Sequence, residues 1–265
     1  FHRYATDAQW RVPHFEKMLY DQALLALAYL ETYQATGKEE YQETARQIFT
    51  YVQRDLTAPE GGFYSAEDSE SEGSEGKFYL WSQDELKNIL KPPLAELTLK
   101  LFSIEKPGNY RDETTGNKTG LNILYLKKPV NEFAAELKTS PAELKKQLVL
   151  IQQHLFAARA RRLHPHKDDK ILTDWNGLMI AALARGAQVL DEPAYLQPAQ
   201  KAMAFILHSL RNSAGRLLHR YRTQEAKIPA FLDDYAFLIW GLLELYETTL
   251  ETDYLKTALS LNTEL

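Results

Sequence analysis

The chain of 265 residues has no cysteine. That excludes disulfides, thiolate metal sites and a thiol nucleophile, and it suits a reducing compartment such as the cytoplasm, where the protein is expected. Long apolar runs are also missing. No stretch approaches the roughly 18 residues needed to cross a bilayer, so a membrane is not an expected partner. Lysine and arginine total 31 against 36 acids, a formal charge of −5, and the cations are scattered. Without a basic stripe to neutralise phosphates, nucleic acid is not an expected partner either. There is no Walker loop, dinucleotide fingerprint or His-Glu-x-x-His helix, and neither a cofactor nor a metal is expected. Phe1-His2-Arg3-Tyr4 lacks the character of a signal peptide. The other end stops within a helical pattern at Thr257-Ala258-Leu259-Ser260-Leu261, so a piece of a longer chain is expected.

What is present is helical periodicity of two kinds. Tyr20 to Tyr33, Gly177 to Leu190 and Tyr235 to Leu245 are apolar nearly all round, as in helices buried on every side. Each is followed by an amphipathic stretch. Tyr41, Ala45, Ile48, Phe49, Val52 and Leu56 form one apolar stripe; Leu196, Ala199, Met203, Ile206, Leu207 and Leu210 form another. The alternation predicts inner helices, beginning near Pro13, Trp175 and Asp234, wrapped by outer helices beginning near Glu40 and Pro193.

The chain also repeats. With Tyr41, Tyr195 and Tyr254 in register, Ala23, Gly177 and Ala236 coincide. Phe1-His2-Arg3-Tyr4-Ala5-Thr6 resembles Leu218-His219-Arg220-Tyr221-Arg222-Thr223, with Leu163-His164 a fainter third copy. A repeat that closes each helical hairpin onto the next accounts for most of these residues. The pattern breaks between 57 and 173, and an irregular insertion is expected at about 57–140. There, Lys77-Phe78-Tyr79-Leu80-Trp81 reads as a short strand. Gln83–Leu90, Leu94–Phe102 and Pro141–Arg161 read as helices, and Pro107–Lys118 as a long loop.

Four blocks carry a family resemblance. They are Phe1-His2-Arg3-Tyr4 with Trp10 and Val12 to Asp21; Gly62 to Asp68 with Glu75 to Tyr79; Asp168 to Gly177; and Phe231 to Ala236. Together they resemble the YyaL-type family, that of spermatogenesis-associated protein 20. The resemblance implies an N-terminal thioredoxin-like domain, absent here, followed by an all-α (α/α)6 toroid of helical hairpins. That toroid is similar to N-acylglucosamine 2-epimerase and to six-hairpin glycosidases. The chain would be part of one such toroid, with a small β-hairpin and loop insertion. Asn122-Ile123-Leu124-Tyr125 departs from the family, whose members tend to end this run in histidine. Implied partners are a sugar-like ligand and the thioredoxin-like domain of the parent chain. Toroid faces left bare are expected to self-associate.

In a ring of hairpins every outer-to-inner connection lies at one end, beside inner-helix N-termini whose exposed N–H groups favour acceptors and anions. His14, Asp21, Asp174 and Asp233 are the candidate catalytic residues. Arg3, Trp10, Lys17, Asp68, Trp175, Asp234 and Tyr235 are candidates for binding substrate. His14, Lys17 and Asp21 have helical spacing and are expected on one face, with Asp21 too deep in its helix to cap it. Capping explains Asp174, Asp233 and Asp234 as well as function does. Aromatics beside carboxylates suit a sugar ring. Hydrolysis would need two carboxyl groups at a suitable separation. Epimerisation would need bases on both faces of a carbon, for which His14, His2 and His219 are available. The roles of His219 and Tyr125 are open at this level. Glu67 to Glu75 only partly matches a calcium loop, because Tyr79 stands where the twelfth-position acid belongs, and reads as a solvated acidic loop. The functional class that the resemblance implies is a sugar epimerase, isomerase or glycosidase-like enzyme. The alternative is a non-catalytic module that binds a ligand or client for the thioredoxin-like domain.

Overall fold

The computed structural model describes residues 1–112 and 115–264. In chain order the elements begin with β1 (Lys17–Met18), α1 (Leu19–Thr36), α2 (Glu39–Tyr51), β2 (Ala66–Glu67), β3 (Glu70–Ser71) and β4 (Ser74–Glu75). Next come β5 (Trp81–Ser82), α3 (Gln83–Leu90), α4 (Leu94–Leu101), β6 (Leu121–Asn122), α5 (Val130–Glu136), α6 (Pro141–Arg159) and β7 (Lys167–Asp168). The last are β8 (Ile171–Leu172), α7 (Thr173–Val189), α8 (Leu196–Ser209), β9 (Leu218–Arg222), β10 (Glu225–Pro229), α9 (Leu232–Thr249) and α10 (Thr252–Glu264). Among the described residues no helix is long and apolar enough to cross a membrane. Two compact units form. The first comprises Phe1–Arg3, Glu16–Asp68 and Lys167–Leu265; the second comprises Tyr4–Phe15 and Ser69–His166.

The first unit is three helical hairpins, α1–α2, α7–α8 and α9–α10, with α7 packed between α1 and α9. Its central place explains why α7 alone is buried all round, from Gly177 through Ala184. The flanking helices are less enclosed than their composition suggests: α1 exposes Leu24 and α9 exposes Leu243. Close approach of α7 and α9 depends on glycine. A Cβ on Gly177 would lie 2.5 Å from the backbone of Phe237, and one on Gly241 would lie 2.9 Å from the carbonyl oxygen of Gly177. The outer helix α2 buries Ala45, Ile48 and Phe49, and the π-helical turn after it buries Val52 and Leu56. That is the stripe the sequence shows, and its Ile, Phe, Val and Leu side chains each contribute about 1.5–3 kcal/mol.

The loop repeat has a concrete form in this unit. The strand before an inner helix pairs with the strand after the following outer helix: β1 with β2, and β8 with β9. The strand after the outer helix then forms a hairpin with the strand leading to the next inner helix: β2 with β7, and β9 with β10. In the β9–β10 hairpin, Arg222 faces Glu225 across Thr223 and Gln224, both at positive φ, as a two-residue turn requires. In the β2–β7 hairpin, Glu67 faces Lys167. All of Ser69–His166 is thus inserted at the position of a two-residue turn.

Three sequence expectations are corrected here. The first inner helix begins at Leu19, not near Pro13, because Lys17 and Met18 are committed to a strand. His14, Lys17 and Asp21 therefore do not share a helical face: His14 is not helical and Lys17 is in β1. Asp21 in turn sits in the first turn of α1 rather than deep within it.

In the second unit, Lys77 to Leu80 is not a strand. Gly76, at φ 68°, turns the chain, and Arg162 gathers the carbonyls of Lys77, Phe78 and Leu80 at 3.3, 2.6 and 2.9 Å. Only Trp81–Ser82 pairs, with Leu121–Asn122. The acidic stretch forms the hairpin β3–β4, turning at Glu72 and Gly73. α3 matches its predicted span, α4 and α6 end one and two residues early, and α5 was not foreseen. In the loop at 107–118, Glu113 and Thr114 lie outside the described residues.

Candidate acid–base site at the inner-helix termini

Asp174, His219 and Asp234 come together in the first unit, delivered by the starts of α7 and α9 and by the intervening strand β9. Asp234 is fully buried. Its Oδ2 accepts from the Phe231 amide at 2.8 Å, which closes the first turn of α9. Its Oδ1 accepts from the Asp174 amide at 3.0 Å, which ties the start of α7 to α9. Both oxygens lie within 3.0 Å of His219 Nδ1. A carboxylate engaged this way accepts the Nδ1 proton, so the imidazole is held with Nε2 directed away from Asp234 and available for proton transfer. The His219 side chain keeps about a fifth of its surface open (20%).

Asp174 stands beside this pair. Burial pushes its carboxyl above the usual aspartate range, the Trp175 amide at 2.8 Å opposes that, and the neighbouring Asp234 adds to it. The three residues present ligand atoms within 4.8 Å of one another, a spacing a cation could use. His219 Nδ1 and both Asp234 oxygens are already engaged with each other and with backbone amides, however, so hydrogen bonding accounts for the cluster.

The same end of the unit holds a second polar group. Arg3 donates to Glu16 at 3.2 Å and to the Tyr20 hydroxyl at 2.7 Å, and its Nε lies 3.6 Å from Asp21. Burial raises the Asp21 carboxyl, against the pull of Arg3. Tyr20 meets the Trp175 ring edge-on, with centroids 4.8 Å apart, and this contact links the two groups. Asp21 and Asp234 hold the same place in α1 and α9, the third helical residue. Lys17 lies 3.6 Å from the buried Glu67 and 4.5 Å from the ring centre of Tyr51. Asp233 is exposed at the start of α9, Tyr235 is buried in the core, and Asp68 is exposed just past β2. In the second unit, His14 Nδ1 contacts Glu75 at 2.8 Å and stacks on Tyr4, and Trp10 is 85% exposed.

Sequence reasoning proposed Asp234 as a ligand contact, whereas its buried oxygens hold His219 and two helix starts. His219 enters the sequence reading only as one of three histidines available as an epimerisation base, without a partner. The signal for it was the loop repeat, which places a histidine shortly before an inner helix with an acid in its first turn, as at His2 before α1 and His219 before α9. Asn176 was also passed over, although it lies in a family-like block. It is fully buried, its Oδ1 accepts from the Phe63 amide at 2.7 Å, and its Nδ2 donates to the Phe63 and Leu172 carbonyls at 3.0 and 2.8 Å.

Helical hairpins joined in this way define a fold of the α/α-toroid class. The unsaturated glucuronyl hydrolase of Bacillus sp. GL1 superposes with a TM-score of 0.50 over 98% of this chain and 48% of its own, at 14% identity. No protein-family model matches the chain. Human spermatogenesis-associated protein 20 is 36% identical over 98% of the chain, and a Caenorhabditis elegans protein, B0495.5, is 34% identical over 98%. The chain thus belongs to the family of spermatogenesis-associated protein 20, and spans 36% of the human protein's length.

Proposed function

We propose that the chain is the carbohydrate-handling part of a larger protein, with an acid–base site at the inner-helix termini. His219 is its base and Asp174 the adjoining acid. Asp234 acts through His219, as the group that fixes its tautomer and orientation. Trp175 and Tyr20 offer ring faces for a sugar, Asp21 and Asp233 supply polar groups from the starts of α1 and α9, and Arg3 and Lys17 supply cations from the chain ahead of α1. The observation that carries this reading is the fully buried Asp234 bonded to His219 Nδ1. A buried acid that fixes the orientation of a part-exposed imidazole is how proteins hold a proton-transfer group in place. The likeness to a glucuronyl hydrolase toroid supports a sugar as the ligand class.

The test uses full-length protein in D2O with a panel of aldoses and disaccharides, followed by proton NMR. Loss of a C–H signal next to a carbonyl reports epimerisation or isomerisation, and new reducing ends report hydrolysis. His219→Asn is expected to lower turnover by about 100-fold or more, with little change in thermal stability. Full turnover in that variant would overturn the assignment of the base. Sugar binding without turnover by the unaltered protein would favour the non-catalytic module.

A further inference from the structure

The second unit contains a cavity of about 430 Å3, bordered by Arg11, Arg111 and Lys118 and by Val12, Ile123 and Tyr125. Its volume lies within the range of small-molecule sites. We propose that it binds a small anionic ligand, an oxyanion carried on a polar, ring-sized body, through the guanidinium groups of Arg11 and Arg111. This does not rest on the acid–base site or on any turnover there.

The case begins with which lining groups are already committed. Asp7 accepts backbone amides from Gln9, Arg11 and Val12 at 3.2, 2.8 and 2.8 Å, so its carboxylate closes its own loop. Glu105 receives the Lys118 ammonium at 2.7 Å. Asn109 spends its amide on Ile123, whose amide it accepts at 2.8 Å and to whose carbonyl it donates at 3.0 Å. The guanidiniums are in a different position. The guanidinium carbon of Arg11 lies 5.2 Å from the centre of the Tyr125 ring, and among the described residues its only hydrogen bond is that of its backbone amide to Asp7. Arg111 gives Nη1 to the Gly116 carbonyl at 2.9 Å. Among the described residues neither has a carboxylate within salt-bridge distance. Three cations and two acids line the cavity, which leaves positive charge in excess.

Two guanidiniums bordering one cavity repel each other, and an anion between them removes that cost. Their planar forks suit a carboxylate or a phosphate, either of which can take paired N–H bonds. Val12, Ile123 and the ring of Tyr125 provide an apolar wall for the body of the ligand. The two sources of the oxyanion, a uronic acid and a sugar phosphate, share this chemistry.

The test is calorimetric titration of the intact chain at low salt with glucuronate, glucose 6-phosphate, inorganic phosphate and neutral glucose. At least one anionic sugar is expected to bind ten-fold or more tightly than glucose. Glucuronate alone would identify a carboxylate site; glucose 6-phosphate together with inorganic phosphate would identify a phosphate site. Arg11→Ala and Arg111→Gln, both at exposed positions, should each bring the anion's affinity down to that of glucose while circular dichroism stays unchanged. Arg11→Lys keeps the charge but not the fork, and should recover only part of the loss. Equal affinities for all four compounds, or variants that bind as the unaltered chain does, would overturn the proposal.

Discussion

Asp174 carries a testable electrostatic burden. Its carboxyl is raised by burial, so the folded state holds the proton more tightly than the unfolded chain does. The stability linked to that proton is present at low pH and is lost as pH rises through the raised value. Asp174→Asn never ionises and escapes the loss. The melting temperature of the variant minus that of the parent should therefore climb as pH goes from about 4 to about 7; a flat or falling difference would contradict the assignment. Asn176 is the opposite case, a neutral group whose value lies in satisfying others. Asn176→Ala strands the amide and carbonyl of Phe63 in the interior and removes a second donor from the Leu172 carbonyl. Urea denaturation should show a loss of about 3 kcal/mol. Asn176→Asp, which keeps the acceptor but loses the donor, should not recover it. The sequence marks neither role at the residue level. Their partners lie 60 and 113 positions away for Asp174 and Asn176, and no local pattern encodes such distances.

At the scale of elements, the helices were legible because their apolar spacing is a local signal. The outer stripes ending at Leu56 and Leu210 name the buried faces of their helices correctly. The misreadings arose where a long-range partner competes with local preference. His14, Lys17 and Asp21 have helical spacing, but the two-residue pairing of β1 with β2 holds Lys17 extended. Phe78 and Tyr79 have strand-like composition, but Arg162, more than 80 residues on, binds the carbonyls a ladder would use. The candidate site was half legible: the carboxylates at the helix starts and His219 as a possible base were visible, while the bond by which Asp234 orients that histidine was not. Helix packing supplies its own prediction. Gly177→Ala should push α7 from α9 and cost about 1–3 kcal/mol. Gly37→Ala has open space around the added methyl and only a positive φ to strain, so it should cost about 1–2 kcal/mol. The two differ in kind: a compensating reduction of Phe237 would not help Gly177→Ala, because the clash is with backbone.

At the scale of the whole chain, the strand register makes a prediction about what can be removed. Glu67 faces Lys167 as Arg222 faces Glu225. Joining Asp68 directly to His166 would leave a two-residue turn like Thr223-Gln224. The shortened chain is expected to keep the cooperative thermal transition and helical circular dichroism of the first unit. A molten product without a transition would mean that the first unit depends on the inserted segment.

The two outer-to-inner connections of the first unit then differ mainly in what they carry at the tip. One bears Ser69–His166 and the other bears only Thr223-Gln224. Such a tip behaves as a splice port. Material can be let into it while the paired strands on either side keep their register, much as a drawer is lengthened without moving its runners. The short tip at Thr223-Gln224 is the vacant port of this chain, and the natural place to graft a reporter domain or an affinity handle.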